Sequence, residues 1–460
     1  MGRIGKRRAA VALLTGVALS FGWGLGGAAR AETLADALVG AYRNSGLLEQ
    51  NQALLRAADE DVAQAVAALR PVLNYIAQAS YQRSELLEET NSSLGLSAEL
   101  LLYDGGASRL AIDAAKEAVL AAREALVAVE QEVLLRAVAA YMNVRRAEEF
   151  VALGENNLRL ITQEVRAAND RFEVGEITRT DVSIAEARLA ESRSLLAAAQ
   201  GDLLQAREEY RAVVGSYPVD LAPPPPAPAI PDTPEAAREI AVRAHPDIRE
   251  QQRTVTVAEI NILRAEAQML PRVSANASLR LDDELDTNRS VGIEMSGPIY
   301  QGGRLSSVYR QAQARRDAAR GALHAIVDSI ELAVGNAYAE LAVTGARILA
   351  TETQIGAAEL AFSGVQEESR LGARTILDVL NAEQELLDAR ADAISAEIDR
   401  YVAVYAVLEA TGMMTVDHLN LGITTYDPAA YYNAVDDAPV RRVSPEGEKL
   451  DRVLRAIGRN

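Results

Sequence analysis

The chain of 460 residues contains no cysteine. Disulfide scaffolds, zinc–thiolate sites, thiol nucleophiles and a lipid-anchor cysteine are therefore excluded. Aromatic residues are few, at 4 Phe, 1 Trp and 15 Tyr, so the large-ring core usual in a globular enzyme is not expected. Positive charge is in deficit: 47 Lys plus Arg face 65 Asp plus Glu, for a net charge of −18. Nucleic-acid binding needs clustered positive charge to meet phosphate, and that class is excluded too. The three histidines, His245, His324 and His418, lie far apart without metal-ligand spacing, and surface or packing roles are expected for them. No glycine-rich phosphate loop follows a strand, and no Ser-His-Asp or paired-carboxylate constellation stands out. An enzyme is not expected, nor a resident metal or cofactor. Half of the chain is nonetheless apolar (49%), which rules out simple disorder.

What is present begins with an export signal. Arg3, Lys6, Arg7 and Arg8 precede an uncharged stretch from Ala9 to Ala29, which closes on Ala29-Arg30-Ala31. A basic start, an apolar middle and a small-x-small end read as a secretory signal over residues 1–31, cleaved before Glu32. The stretch approaches the roughly 20 residues that a membrane anchor needs, but Gly22, Gly24, Gly26 and Gly27 favour cleavage over retention. Residues 1–31 hold five basic and no acidic side chains, so cleavage leaves an exported chain of net charge −23.

The rest is a duplication. Tyr103-Asp104-Gly105-Gly106 recurs as Tyr300-Gln301-Gly302-Gly303, a shift of 197. At the same shift Tyr141 matches Tyr338, Gly175 matches Gly372, Thr178 matches Thr375 and Asp181 matches Asp378. Register held over so long a span fixes the architecture before any single element is assigned. Residues 32–221 form a first repeat and residues 235–421 a second. Between them residues 222–234 carry Pro223 to Pro226, Pro228, Pro231 and Pro234, which favour an extended, semi-rigid strap. Residues 422–460 form a tail that either binds the periplasmic equator or stays mobile, and mobility is the expectation.

Each repeat reads as helix, two strands, very long helix, turn, helix. From Ala115 the residues Val119, Ala122, Leu126, Val129 and Val133 alternate spacings of three and four, a coiled-coil seam. No proline interrupts 107–172, so that helix reaches roughly 100 Å. The strand segments alternate with period two. Leu73, Tyr75, Ala77, Ala79 and Tyr81 share one face, as do Leu94, Leu96, Ala98, Leu100 and Leu102. In the second repeat Val273, Ala275, Ala277, Leu279 and Leu281 are followed by Val291, Ile293 and Met295. Stretches of about 10 residues with one apolar face have the pattern of membrane β-strands. Polar turns are expected at 85–93 and 282–289. Four strands cannot close a channel and open edges are not tolerated in lipid, so closure must come from several chains. The competing reading, an ordinary sheet over a soluble core, lacks a second layer in the sequence.

The signal, the repeated Tyr-x-Gly-Gly turn and the repeated Gly-x-x-Thr element make this chain resemble the TolC family of outer-membrane efflux proteins, over essentially the whole mature chain to Leu421. The resemblance implies a homotrimer. Four strands per chain would give a 12-stranded outer-membrane β-barrel, continuing into a periplasmic α-helical coiled-coil barrel. It implies partners as well: a periplasmic adaptor and an inner-membrane transporter that together open the duct. The Gly-Gly turns and the cysteine-free start place it nearest the branch serving type I protein secretion with an ABC transporter. A small-molecule efflux duct driven by a proton pump is the alternative. A periplasmic coiled-coil adaptor or scaffold is the rival from another class, and detergent-dependent solubility separates it.

The resemblance also assigns a mouth. Helix-turn-helix tips at Val174-Gly175 and Leu371-Gly372 would dock adaptor hairpins. Asp378 matches the acidic constriction, Arg374 an arginine that links the closed mouth, and Thr180 or Asp181 its acceptor on the first tip. Ser369 stands where the family has a gating tyrosine, and Asn381 where a second acidic ring would follow. A ring of Asp378 would favour cations, but Thr375-Ile376-Leu377-Asp378 and Thr178-Arg179-Thr180-Asp181 are equally capping boxes. Both roles stay open for Asp378, while capping is the stronger reading for Asp181. Arg374, just before a helix start, faces the positive end of the macrodipole and so calls for a carboxylate on a neighbouring helix or subunit.

Overall fold

The computed structural model describes residues 31–83, 88–283, 286–440, 452–453 and 455–456. The expected signal peptide, residues 1–31, lies outside them save for its last residue. The first repeat runs α1 (Leu34–Asn44), α2 (Gly46–Ala67), β1 (Val72–Arg83), β2 (Glu88–Tyr103), α3 (Ala107–Glu173) and α4 (Arg179–Val214). The second repeats that order with α5 (Pro234–Ala244), α6 (Pro246–Ala267), β3 (Arg272–Asp282), β4 (Thr287–Ser296), α7 (Arg304–Arg370) and α8 (Ile376–Ala410). A short α9 (Pro428–Val435) follows.

Each repeat opens with two helices where the sequence reading has one. Ser45 ends α1 in extended conformation and caps α2, its hydroxyl accepting from Leu48 N–H at 3.2 Å. His245 does the same between α5 and α6, with Pro246 at the first helical position. A capping side chain and a proline supply a new helix start in mid-pattern, which apolar periodicity alone does not register.

The helices α3 and α7 are each 67 residues long, roughly 100 Å at 1.5 Å per residue. The seam on α3 is the buried one: Val119, Leu126 and Val133 are core, with Ala115, Ala122 and Val129 packed beside them. That core gathers α1, α2, the middle of α3, and the ends of α4 and α8 into an equator.

The four strands form one antiparallel sheet in the order β1-β2-β3-β4, so β2 and β3 join the two repeats. Register aligns the faces. Tyr75, Leu96 and Leu279 lie side by side, as do Leu73, Ala98, Ala277 and Val291, then Leu100, Ala275 and Ile293. Asn74, Ser97, Ser278 and Ser290 line up on the opposite face, where the last two hydroxyls are 2.7 Å apart. One face is thus apolar, except where Arg289 continues the Leu279 row, and the other largely polar, and among the described residues the outer edges of β1 and β4 have no partner. The turns are shorter than the sequence suggests. Residues 88–93 belong to β2 and residues 287–289 to β4, because backbone pairing continues through polar residues such as Ser80 with Asn91.

The tail departs from expectation. Its first part docks on the equator: Tyr431 Oη donates to Glu60 Oε1 at 2.7 Å, Arg123 lies 5.4 Å over the Tyr432 ring, and Tyr426 N–H donates to Tyr42 Oη at 3.3 Å. Tyr431 meets Glu60 through its hydroxyl and Arg123 lies over the Tyr432 ring, while the buried Tyr426 hydroxyl has no hydrogen-bond partner among the described residues.

Candidate functional site at the helical tips

Both long helices end in the same way. At the first tip Gly175 takes φ +82° and its N–H donates to Phe172 O at 3.0 Å, while Glu176 N–H reaches Arg171 O at 2.9 Å. At the second, Gly372 takes φ +77°, with Gly372 N–H to Ser369 O at 3.1 Å and Ala373 N–H to Glu368 O at 2.9 Å. This pair of bonds closes a helix through a left-handed residue, which glycine adopts without steric cost. The return helices start on capping boxes. Thr375 N–H and Oγ1 donate to Asp378 Oδ2 at 3.0 and 2.8 Å, and Asp378 N–H donates back to Thr375 Oγ1 at 3.2 Å. Thr178 and Asp181 repeat this at 2.9, 2.8 and 3.3 Å. These bonds hold both carboxyls below the usual range, led by the Thr375 N–H for Asp378 and by the Thr178 hydroxyl for Asp181. Within the chain, capping is therefore an observed role of both residues.

Arg374 does not reach Asp181 or Thr180 in this chain. Its Nε donates to Glu368 Oε2 at 2.9 Å, so the carboxylate that offsets the macrodipole comes from the last turn of α7. Sequence spacing hides this partner, because Glu368 belongs to another helix that the glycine turn folds back. Thr180 is exposed on the first turn of α4.

Ser369 is buried, and Arg171 Nη1 from the first tip lies 3.5 Å from its hydroxyl. Asn381 Oδ1 accepts from Arg188 Nη2 at 3.3 Å. The two positions that depart from the family pattern are thus both touched by arginines of the first repeat. Higher up, Gln366 on α7 donates to Glu164 on α3 at 3.2 Å. Beneath these links a small core joins Ile161 and Ala168 of α3, Val182 and Ala185 of α4, and Ile376 and Leu380 of α8. The tips are therefore one packed unit spanning both repeats, while Val174 and Leu371 stand 72% and 85% exposed at its end, two apolar side chains left for a partner.

Arg171, Arg188, Glu164, Glu368 and Glu383 were missed as site residues by the sequence reading. For Glu383 a signal existed: it interrupts the apolar stripe Ile376, Val379, Leu380, Leu386 at a buried position. Among the described residues no cluster of His, Cys, Asp or Glu suited to a metal occurs.

Residues 38–216 and 238–413 match the outer membrane efflux protein family. The chain belongs to that family. It is similar to the outer membrane efflux protein BepC of Brucella suis biovar 1, with 38% identity over 447 residues, 95% of this chain and 97% of BepC. The alkaline protease secretion protein AprF of Pseudomonas aeruginosa is 28% identical over 60% of each chain. In three dimensions the chain is similar to CusC, with a TM-score of 0.75 at 20% identity over 83% of this chain and 92% of that one. The fold is that of the TolC-like channel-tunnels, and the protein is located in the outer membrane and extends into the periplasm.

Proposed function

We propose that three copies of this chain assemble into the exit duct of a tripartite export machine. The sheet carries the argument. It has one largely apolar face, on which Leu73, Tyr75, Val291, Ile293 and Met295 are bare, and two edges, β1 and β4, that are unpaired among the described residues. In lipid the apolar face is an asset and the edges are not, and pairing β4 of each copy with β1 of the next satisfies both in a 12-stranded barrel. A periplasmic adaptor or scaffold needs no such face. The second repeat supports assembly too, since α7 leaves Leu332, Val343, Leu349 and Leu360 exposed along its length.

At the far end, Asp378 from three copies forms an acidic constriction while still capping α8. Arg374 with Glu368, Ser369 with Arg171, and Asn381 with Arg188 hold the closed mouth, with Asp181 and Thr180 on the adjacent tip. Val174-Gly175 and Leu371-Gly372 dock the adaptor. Cargo is protein delivered by an ABC transporter in the first reading, which AprF's name favours; the higher identity to BepC, named an efflux protein, favours the efflux alternative. Planar-bilayer recording of the protein from residue 32 onward tests the duct. Discrete cation-preferring steps from a trimer are expected, whereas a monomer soluble without detergent overturns the reading. Co-purification with an ABC transporter or with a proton-driven pump separates the cargo classes.

A further inference from the structure

Glu383 occupies a place suited to leucine. It sits one turn beyond Leu380 in the buried stripe of α8, is 4% exposed, and neither carboxyl oxygen has a hydrogen-bond partner among the described residues. Its repeat counterpart, Glu186 on α4, is exposed, so burial is peculiar to the second repeat, where α8 packs against both α3 and α7.

The polar surroundings are sparse. From α3 the charge acting on Glu383 is another carboxylate, Glu164. From α7, Gln366 is neutral and its amide is spent on Glu164 at 3.2 Å. From α4, Arg188 reaches only as far as Asn381 at 3.3 Å and pairs with Glu191 at 2.8 Å. Burial, with Glu164 adding to it, pushes the Glu383 carboxyl up to about 7. A neutral acid tolerates this seat far better than an ion, which lacks both solvent and a counter-charge there.

We infer that Glu383 is the positioning residue of an acid-stabilised latch at the periplasmic mouth: protonated, it keeps α8 seated against α3, and ionised, it drives α8 away from Glu164 and favours the open mouth. This rests on the tips being the mouth, as proposed above. The sign follows from linkage. The value is raised in the packed state, so packing is fully favoured below the ordinary 4.5 and weakens as pH rises through 7. With α8 unseated at the ordinary value, the ratio of unseated to seated α8 rises about tenfold in each copy between pH 6 and pH 8.

Two measurements on the full mature protein test this. In bilayers, wild type is expected to show at least that tenfold rise in the open-to-closed ratio, since each of the three copies contributes it. Glu383→Gln should hold its low-pH behaviour throughout, and Glu186→Gln should follow wild type. A Glu383→Gln profile that tracks wild type overturns the latch. Independently of any current, hydrogen exchange in the detergent-extracted oligomer, corrected for intrinsic rates, should quicken in residues 376–386 between pH 6 and 8 in wild type only. Equal exchange in the two proteins overturns the latch even where channels are silent. Titrating exchange without a matching change in current leaves the latch standing and counts against the tips as the mouth.

Discussion

Tyr141 and Tyr338, at equivalent positions of the two repeats, donate to opposite ends of the same proline-rich strap. Tyr141 Oη reaches Ala222 O at 2.5 Å, with Glu32 O 3.2 Å away, and Tyr338 Oη reaches Pro231 O at 2.6 Å. A third tyrosine, Tyr401 of α8, donates to Pro225 O at 2.9 Å between them. Proline lacks an N–H, so the strap cannot join a ladder as a donor at these positions; its carbonyls are satisfied by side chains of the helices it crosses. The tyrosine that recurs at a shift of 197 is therefore a fastener for the joint between the repeats.

Replacing either hydroxyl measures that joint. Tyr141→Phe and Tyr338→Phe are expected to cost about 1 kcal/mol each, since each removes a hydrogen bond to the strap, although Ala222 O keeps Arg145 Nη1 at 3.1 Å in the first. Chemical unfolding of the detergent-extracted protein, followed by circular dichroism, provides the comparison, and unchanged midpoints for both variants would dismiss the fastening role.

Asp378→Asn should abolish cation preference at all pH values. In wild type the Thr375 N–H holds the Asp378 carboxyl below its ordinary 3.8, so its charge is fully present above that value and is lost only as pH falls through the lowered one. Cation preference is thus expected to stay constant from pH 8 down to pH 5. Reversal potentials in a salt gradient are the measurement, and a preference that fades near pH 6 would point to another group.

Asp59 gives a contrasting pH signature at the equator. It is fully buried on α2 with both carboxyl oxygens unpartnered among the described residues, and burial lifts it to about 6, with Arg123 opposing and Glu60 adding to the shift. A raised folded value favours the fold most below the ordinary 3.8 and progressively less as pH climbs through 6. Asp59→Asn should therefore stabilise the protein at pH 8 and match wild type near pH 4. Thermal melts across that range decide it.

Removing residues 422–460 should lower the melting midpoint at pH 6 and bring Asp59 back toward its ordinary value. The tail supplies Tyr426, Tyr431 and Tyr432 to the surface formed by α1, α2 and α3. A truncated protein with the wild-type midpoint would mean that the docked tail contributes no stability.

Gly175→Ala and Gly372→Ala should each cost about 1 kcal/mol from the left-handed backbone alone, since an added Cβ meets nothing within 4 Å at either position. If these tips dock an adaptor, cross-linking to it should fall further than stability does. Equal falls in both would indicate backbone strain without a docking role.

Much of the fold was legible because it is written twice. Period-two alternation and the Tyr-x-Gly-Gly turns locate the strands and the starts of both long helices, and the absence of proline measures α3. What was hidden depends on the reversal of the chain at the tips and on contacts distant in sequence. The Glu368 partner of Arg374 requires the chain to reverse at Gly372, and the Arg171–Ser369 and Arg188–Asn381 contacts require both repeats to be packed. The break at Ser45 is local, but it rests on one hydroxyl and not on a pattern. The docked tail likewise depends on Tyr431 meeting Glu60 and Tyr432 meeting Arg123, more than 300 residues away in sequence.

The pairing of β2 with β3 has a consequence for symmetry. β3 is the repeat equivalent of β1, and β4 of β2, so the seam proposed between neighbouring copies has the same kind of partners as the seam inside each chain. Viewed down its axis, such an assembly is nearly sixfold. Among the residues that lower it to threefold are three at the tips: Phe172, Ile177 and Ile184 on one repeat stand where Ser369, Arg374 and Asn381 stand on the other. The shared positions build a tube, and the unshared ones give it a mouth whose alternate helices can respond differently to the same signal.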